Sequence, residues 1–329
     1  MRAAWYERKG PAREVIEVGE MPTPVPGPGE VRVRVHVSGV NPSDIKNRGG
    51  WRGNVTMPFP RIIPHQDGAG VIDAVGAGVP AGRVGERVWL YEAQLGRPFG
   101  TAAEYVALPS ANAVRLPDTT DFAGGACLGV PAMTAHYCVF ADGPVAGQTV
   151  LVQGGAGAVG NYAVQFAKGG GATVITTVSS PEKAEVARLA GADHVLNYRT
   201  EDVIARVGEL TGGAGVDRIV DVAFGVNLPV TVAVLKPNGV VASYSSDAEP
   251  QPRLPFGELL RKNATLRIVL VYVMPRAAHE AAIADITAGL EAGTLRHVVA
   301  HHFPLAEVAA AHEAVESGRM IGNVLVDLA

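Results

Sequence analysis

The stretch TVLVQGGAGAVGNYAVQFAKGG, residues 149–170, decides the fold of this chain. Its first five residues are a continuous apolar run, which is typical of a buried strand. A glycine pattern, Gly155-Ala156-Gly157-Ala158-Val159-Gly160, follows at once and leads into a helical segment. The pattern G-x-G-x-x-G is weak by itself. Between a strand and a helix, it predicts a turn that binds the pyrophosphate of a dinucleotide.

Each of the three glycines has a predicted task. Gly155 is expected to make the tight turn, Gly157 to let the backbone approach a pyrophosphate, and Gly160 to let the helix pack on the strand. The start of the helix adds free N–H groups and the positive end of its dipole. The alternative is a glycine-rich turn that binds no ligand.

Strands and helices alternate on the C-terminal side of this stretch. Ser180 is a plausible helix N-cap, with Pro181 in the first helical position, and a long helix is predicted over residues 279–292. Because the predicted strands are apolar on both faces, we expect a parallel sheet covered by helices, an α/β fold. These further strands are predicted at residues 173–178, 194–198, 218–223, 239–245 and 266–273.

The residues after the second strand bear on the choice of cofactor. An NAD site places an acid about 20 residues beyond the glycine loop, against the ribose hydroxyls. This chain has Thr177-Val178-Ser179-Ser180 there, with Lys183 beyond and Tyr198-Arg199 after the third strand. Hydroxyls and cations suit a 2′-phosphate, so NADPH is favoured over NADH. The alternative for Lys183 is a solvated helix position.

The first ~120 residues do not show this alternation of strands and helices. Val31, Val33, Val35 and Val37 alternate with polar residues, as in a half-buried strand. We predict a β-rich domain over residues 1–123 with a returning segment at 294–329, and a nucleotide-binding domain over 124–293.

Composition excludes several classes of protein. In 329 residues, 47% are hydrophobic and 18% charged, which excludes a disordered scaffold. The net charge of −4 gives no support to a nucleic-acid or membrane-surface role. The two cysteines argue against a disulfide framework, and the N-terminal stretch lacks the apolar run of a signal peptide. We expect a soluble cytoplasmic protein.

Short motifs along the whole chain resemble the medium-chain dehydrogenase/reductase superfamily, and within it the zinc-independent quinone oxidoreductase (zeta-crystallin-like) branch. The resemblance implies a GroES-like domain, a Rossmann domain, an active site in the cleft between them, and a homodimer formed through the strand Arg267–Val273. The motifs are GVNPSD (39–44), a turn at Asp67–Val71, AEYV (103–106), GVPAMTAHY (129–137), GADHVLNYR (191–199) and GNV (322–324).

The zinc-dependent members of the superfamily use a Cys, a His-Glu pair and a second Cys. Here Val40-Asn41 and Gln66-Asp67 stand in the first two places, so no metal is expected. A rival zinc site can be drawn from His65, Asp67, His136 and Cys127.

The resemblance also implies the site residues. Asn41 is the predicted nicotinamide-side residue that polarises an acceptor oxygen, and Asp44 its companion acid, with helix capping as the alternative for Asp44. Trp51 and Asp67 form the predicted substrate-binding set, and Trp51 has packing as its alternative. The predicted cofactor contacts are Asn41, Thr134, Gly155 to Gly160, Ser179, Lys183, Tyr198, Ser245, Ser246, Val271, Tyr272, Val273, Gly322, Asn323 and Val324.

Without a Lewis acid, the acceptor must take hydride directly, which suits quinones and conjugated enones. We therefore predict an NADPH:quinone oxidoreductase. An NADPH-dependent reductase of enones or enoyl thioesters is the alternative enzyme. A non-catalytic, crystallin-like or RNA-binding protein is the alternative of another class, although aromatic-basic interleaving is absent.

Overall fold

The computed structural model describes residues 1–328 and divides them into two compact units. The first unit comprises Met1–Pro131 and the chain from Ile283 onward, and the second is Ala132–Ala282. The predicted domain boundaries, after residues 123 and 293, stay a prediction; the compact units divide nearby and not at those positions. Gly125 packs against the side chains of Ala69 and Leu116, which keeps the segment after residue 121 with the first unit.

Strands form the central sheet of each unit. In chain order they are β1 (Arg2–Trp5), β2 (Glu17–Glu20), β3 (Glu30–Val40), β4 (Asp67–Val75), β5 (Arg87–Leu90), β6 (Tyr105–Pro109), β7 (Ala113–Arg115), β8 (Thr149–Gln153), β9 (Thr173–Val178), β10 (His194–Asn197), β11 (Val216–Asp221), β12 (Leu235–Ser243), β13 (Thr265–Ile268), β14 (Val299–Pro304) and β15 (Asn323–Asp327).

The α-helices lie mainly in the second unit and in the C-terminal segment. They are α1 (Ala12–Val15), α2 (Pro42–Gly49), α3 (Phe122–Gly125), α4 (Met133–Phe140), α5 (Ala158–Gly169), α6 (Pro181–Leu189), α7 (Val203–Leu210), α8 (Phe224–Val234), α9 (Phe256–Arg261), α10 (Arg276–Glu291) and α11 (Val308–Glu316). A π-helical turn, Leu128–Ala132, precedes α4, and 3-10 turns cover Trp51–Gly53, Ala81–Arg83, Ser110–Asn112, Val271–Val273 and Leu305–Glu307.

The first unit is built on a seven-stranded sheet of order β14-β15-β3-β4-β5-β7, with β6 also paired to β3. The pairs are antiparallel except for β14 with β15. In β3 the valines at 31, 33 and 35 are buried and the residues between them are more exposed, as the alternation predicts. The pairing of Gly39 with Asp67 and of Val324 with Val40 brings three separate chain segments to one end of β3.

The second unit is a six-stranded sheet of order β10-β9-β8-β11-β12-β13, and every pair is parallel. This is the strand order of a doubly wound dinucleotide-binding sheet. Its inner strands β8, β9 and β11 are buried on both faces, and the helices α4 to α8 separate successive strands or cover them. The α/β fold class predicted from the sequence is therefore confirmed.

Two sequence-based assignments were wrong. The predicted strand over residues 266–273 ends at Ile268 and is followed by the 3-10 turn Val271–Val273. The reason is that β13 pairs only with β12, and β12 ends at Ser243 opposite Ile268. The predicted turn at Asp67–Val71 lies inside β4 instead. Its glycines allow β4 to lie close to β3, since a Cβ on Gly70 would lie 2.0 Å from the carbonyl oxygen of Arg34.

Among residues 1–328, no helix is both long enough and apolar enough to cross a bilayer.

Candidate functional site

The glycine loop joins β8 to α5 at the carboxyl end of the sheet. Gly155 is a central residue of the turn, which is closed by the hydrogen bond from the Gly157 N–H to the Gly154 carbonyl at 3.0 Å, and Gly154 takes the left-handed backbone (φ +79°). A side chain at Gly155 is excluded, because a Cβ there would lie 2.1 Å from the hydroxyl oxygen of Thr176 in β9. Gly160 has its predicted role, since its Cβ would lie 2.2 Å from the carbonyl oxygen of Gly154. The helix therefore packs directly on the turn.

The N-terminus of α5 fits the phosphates of a dinucleotide. Gly157 is the N-cap, it is exposed, and no side chain caps the helix. A Cβ on Gly157 would have only one neighbour, at 3.4 Å, so the surface around it is open. The first-turn N–H groups are left for a ligand, where the helix dipole favours a negative charge.

The predicted 2′-phosphate site lies at the ends of β9 and β10, which are parallel neighbours. Ser179 follows β9, and Tyr198 and Arg199 follow β10 with exposed side chains. Lys183 lies on the first turn of α6 and is half-buried, and among the described residues its ammonium pairs with no carboxylate. The nearest acid in the sequence, Glu182, accepts a hydrogen bond from the Ser180 hydroxyl, and this bond lowers the pKa of Glu182.

The remaining predicted contacts of this unit follow β12 and β13. The Ser245 hydroxyl donates to Asp247 at 3.0 Å, and the Ser246 hydroxyl accepts the backbone N–H of Gly225 at 3.0 Å. In the turn Val271–Val273, Val271 is buried, Tyr272 is half-buried and Val273 is exposed. All these residues share the carboxyl edge of the parallel sheet with the glycine loop. Both serine hydroxyls take part in loop contacts, so their cofactor role stays a prediction.

Thr134 lies in α4 of the same unit and is 4% exposed. The helix packs against α5. Its predicted contact with the nicotinamide stays a prediction.

In the first unit, Asn41 is the N-cap of α2 and is 4% exposed. Its backbone N–H donates to Asp44 Oδ2 at 2.8 Å, so the capping alternative for Asp44 is what the geometry shows. Burial raises the pKa of the Asp44 carboxyl well above its usual range. The neutral form of Asp44 is correspondingly favoured, and a catalytic role for it stays a prediction.

The side chain of Asn41 is held by Asp67, the first residue of β4. Asn41 Nδ2 donates to Asp67 Oδ2 at 2.7 Å, and the backbone N–H of Val130 donates to the same oxygen at 2.8 Å. Asp67 is fully buried, and burial raises its pKa to about 7. A buried acid and a buried amide thus meet where three chain segments converge.

The segment 322–324 lies beside Asn41, since Val324 pairs with Val40. Gly322 has a left-handed backbone (φ +91°), and a Cβ there would lie 2.3 Å from the carbonyl oxygen of Val298. The Asn323 side chain also donates to Val298 at 3.0 Å, which fixes this segment.

Trp51 is 50% exposed, on the 3-10 turn after α2. The guanidinium of Arg52 lies 4.4 Å from its ring centroid and the ammonium of Lys46 lies 5.4 Å away. These cation–π contacts orient an accessible aromatic surface. Its role in substrate binding stays a prediction.

Two family models match the chain. The alcohol dehydrogenase GroES-like domain matches residues 27–118, and the zinc-binding dehydrogenase domain matches residues 158–287.

A quinone oxidoreductase of Pongo abelii is 31% identical over 317 residues, which are 95% of this chain and 93% of that protein. The chain belongs to the quinone oxidoreductase branch of the medium-chain dehydrogenase/reductase superfamily. The family predicted from the motifs is thus confirmed, with its GroES-like and Rossmann domains.

Two further members of the superfamily are informative. A 2-haloacrylate reductase of a Burkholderia species is 32% identical over 88% of this chain and 87% of its own. The crystal structure of an Escherichia coli quinone oxidoreductase complexed with NADPH has a TM-score of 0.86 and 26% identity, covering 99% of this chain and all of that one.

One of the two matching families is named for zinc binding. Whether this medium-chain oxidoreductase has residues that could bind zinc therefore matters for its reaction. Within residues 1–328, no three or more His, Cys, Asp and Glu side chains are arranged to hold a metal ion. In the rival set, the ring nitrogens of His65 are already engaged by Ser38 at 2.8 Å and by His312 at 2.9 Å. Gln66 hydrogen-bonds Gln94 at 3.2 Å.

Sequence reasoning missed two features of this branch member. One is the hydrogen bond that the Asn41 side chain donates to Asp67, for which no local signal exists, since the residues are 26 positions apart. The other is the buried pair His65–His312. Its only sequence signal is the position of His312 within the apolar helix α11, and His65 takes a left-handed backbone (φ +80°).

Proposed function

We propose that this protein is a zinc-independent NADPH:quinone oxidoreductase. The observation that carries the proposal is the end of β9, where Ser179, Ser180 and Lys183 stand beside an open glycine loop, in a chain that matches a quinone oxidoreductase over 95% of its length. The stretch Thr177-Val178-Ser179-Ser180 at the end of β9 contains no acid, where an NAD site would place one against the ribose hydroxyls.

The cofactor would be held by groups that the second unit already presents. The N–H groups at the start of α5 would hold the pyrophosphate, and Lys183, Tyr198 and Arg199 would bind the 2′-phosphate. When bound, NADPH supplies a hydride from its nicotinamide ring.

Asn41 acts on the acceptor. Its side-chain amide is held by Asp67 and also interacts with Asp44, and it is the group that would donate to an acceptor oxygen on which negative charge develops. Reduction of a quinone requires no other side chain as a proton donor, because solvent can protonate the hydroquinone anion.

The test is loss of reduced-nicotinamide absorbance with purified protein. NADPH and NADH are compared, each with 1,4-benzoquinone, a larger ortho-quinone and a simple enone, beside enzyme-free controls. Fast quinone-dependent loss with NADPH preferred is the expected result. If the protein binds NADPH but no acceptor causes a loss of absorbance, the result would contradict the proposal and favour a non-catalytic role.

A second candidate is reduction of an activated carbon–carbon double bond. The similarity to a 2-haloacrylate reductase favours it. Product analysis separates the two reactions, since one yields a hydroquinone and the other a saturated product. Turnover with the enone and with neither quinone would favour double-bond reduction over quinone reduction.

Zinc independence is tested by metal analysis. We expect no stoichiometric zinc in the purified protein and full activity in the presence of a chelator, because His65, the histidine nearest the expected metal position, is engaged at both ring nitrogens. One zinc per chain together with chelator-sensitive turnover would refute this part of the proposal.

The proposed assembly is a homodimer formed along β13. This strand is the last of the parallel sheet and pairs only with β12. Its residue Ile268 is 73% exposed, and Leu270, two residues beyond it, is also exposed. An open apolar sheet edge is a template for pairing with a second copy.

A further inference from the structure

We propose that Asp67 is a positioning residue that fixes the carboxamide of Asn41 in one orientation, with its nitrogen toward Asp67 and its oxygen turned away. The inference rests on the proposed function of Asn41. Asp67 was predicted from the sequence to bind substrate; here it acts through Asn41.

The fold brings the two side chains together by strand register. Gly39, near the end of β3, pairs with Asp67 at the start of β4. Asn41 follows two residues later and caps α2. The 2.7 Å hydrogen bond from Asn41 Nδ2 to Asp67 Oδ2 then joins the two side chains. Asp44 holds the backbone N–H of the same asparagine. Two buried acids thus hold Asn41: Asp67 accepts from its side chain, and Asp44 accepts from its backbone N–H and also interacts with its side chain.

The two carboxyl oxygens of Asp67 differ. Oδ2 accepts two hydrogen bonds, from Asn41 and Val130. Oδ1 is buried and has no hydrogen-bond partner among the described residues. It faces the Cα of Gly129, where a Cβ would lie 2.0 Å away. Because Oδ2 already receives two donors, a proton on this carboxyl belongs on Oδ1.

The surroundings of Asp67 make its charge depend on pH near neutrality. Burial is the main cause of its pKa of about 7, and the charge of Glu92 raises the pKa further. Asp44 and the Cys127 thiol are the other titratable groups that interact with it. None of these three groups supplies a positive charge to stabilise the carboxylate.

Both charge states accept from Asn41, but the carboxylate does so more strongly. A charge-assisted hydrogen bond is stronger than a neutral one. The ionised form also repels a flipped amide, whose oxygen would face Oδ2. We therefore expect kcat for quinone reduction to rise with pH through the titration of Asp67.

The decisive variants are Asp67→Asn and Asp67→Ala. Asparagine retains an oxygen that can accept from Asn41, so kcat should stay within about threefold of wild type while the pH step near neutrality disappears. Alanine removes the acceptor, so kcat should fall about tenfold with the KM for NADPH nearly unchanged. A matched control is Asp221→Asn. Asp221 is likewise buried, and it holds Asn227 Nδ2 and the N–H of Ala223, each at 2.8 Å. This control should leave the pH profile unaltered.

A double-mutant cycle tests whether Asp67 works through Asn41. In an Asn41→Ala background, Asp67→Ala should cost less than about twofold in kcat. A full additional tenfold loss in that background would overturn the inference.

A readout without turnover separates this inference from the proposed function. The side-chain NH2 signals of Asn41, identified by their loss in Asn41→Ala, should titrate in NMR spectra with a midpoint near neutrality. In Asp67→Asn the titration should vanish while the Asn227 signals keep their positions. Signals that titrate unchanged in Asp67→Asn would overturn the inference even if the enzyme reduces quinones. Normal titration in a protein that reduces no quinone would leave the positioning intact and defeat only the proposed function.

Discussion

At the scale of a single residue, Lys183 is predicted to determine the preference for NADPH. It is half-buried on the first turn of α6, and its neighbours at the strand ends are the hydroxyls of Ser179 and Ser180. A cation without a carboxylate partner keeps its charge available for a phosphate.

Replacing Lys183 with alanine should raise the KM for NADPH about fivefold, the value expected when a half-exposed charge pair of about 1 kcal/mol is lost. The KM for NADH should change little, because NADH lacks the 2′-phosphate. Arg188→Ala is the matched control, since Arg188 is an exposed cation on the same helix that pairs with Glu185 at 3.4 Å. Equal effects on both cofactors would contradict a phosphate contact.

His65 determines part of the pH dependence of stability. It is fully buried, and burial lowers its pKa to about 3. The pKa of its partner His312 is lowered in the same way. A histidine with a lowered pKa stays neutral in the folded protein, while in the unfolded chain it takes up a proton below about pH 6.5. Its contribution to stability is therefore present above pH 6.5 and is lost as the pH falls toward 3.

Substitution of His65 by glutamine should make the unfolding free energy less dependent on pH between 6 and 5. The slope should change by about 1.4 kcal/mol per pH unit, the value for one proton. Denaturant unfolding at several pH values measures it, and His302→Gln is the control, since His302 is exposed and pairs with Asp327. An unchanged slope in His65→Gln would show that the ring is protonated in the folded state.

At the scale of an element, α5 depends on close contact between its first turn and the glycine loop. The contact leaves no room for a side chain at Gly160, whereas a methyl group added to Gly169, at the other end of the helix, would have nothing within 4 Å. The same substitution should thus have opposite consequences at the two ends of one helix.

Gly160→Ala should destabilise the protein by about 1–3 kcal/mol or more and weaken NADPH binding, because the added methyl group forces α5 away from the loop. Gly169→Ala should be neutral or stabilising by up to about 1 kcal/mol, since alanine favours helix. Thermal unfolding and titration of NADPH fluorescence measure both effects. Equal stability of the two variants would contradict the contact.

Strand β13 shows how far sequence alone determines an element. The run LRIVLVYV is almost entirely apolar, and its pattern alone predicts a longer strand than the one observed. Strand pairing decides the length, since a strand continues only while its neighbour offers N–H and C=O groups. That neighbour is set by the tertiary fold and not by the local residues.

For the whole molecule, the open edge of β13 is the feature that concerns assembly. Ile268→Lys should convert the proposed dimer to a monomer, because a charge placed at a sheet edge blocks pairing between copies. Sedimentation or light scattering measures the mass. Val25→Lys is the control, since Val25 is exposed in the first unit, far from β13 in the sequence. A wild-type protein that is already monomeric would refute the proposed assembly.

The sequence by itself determined the α/β fold, the order of strand and helix around the glycine loop, and the family. These follow from periodicity and from glycines whose spacing reflects steric limits within a few residues. Only the tertiary structure decided that Asp67 holds Asn41 and that His65 meets His312. The physical reason is that hydrogen bonds and burial join residues from separate strands. Their distances, and the pKa values that burial raises or lowers, exist only once the sheet has set its register.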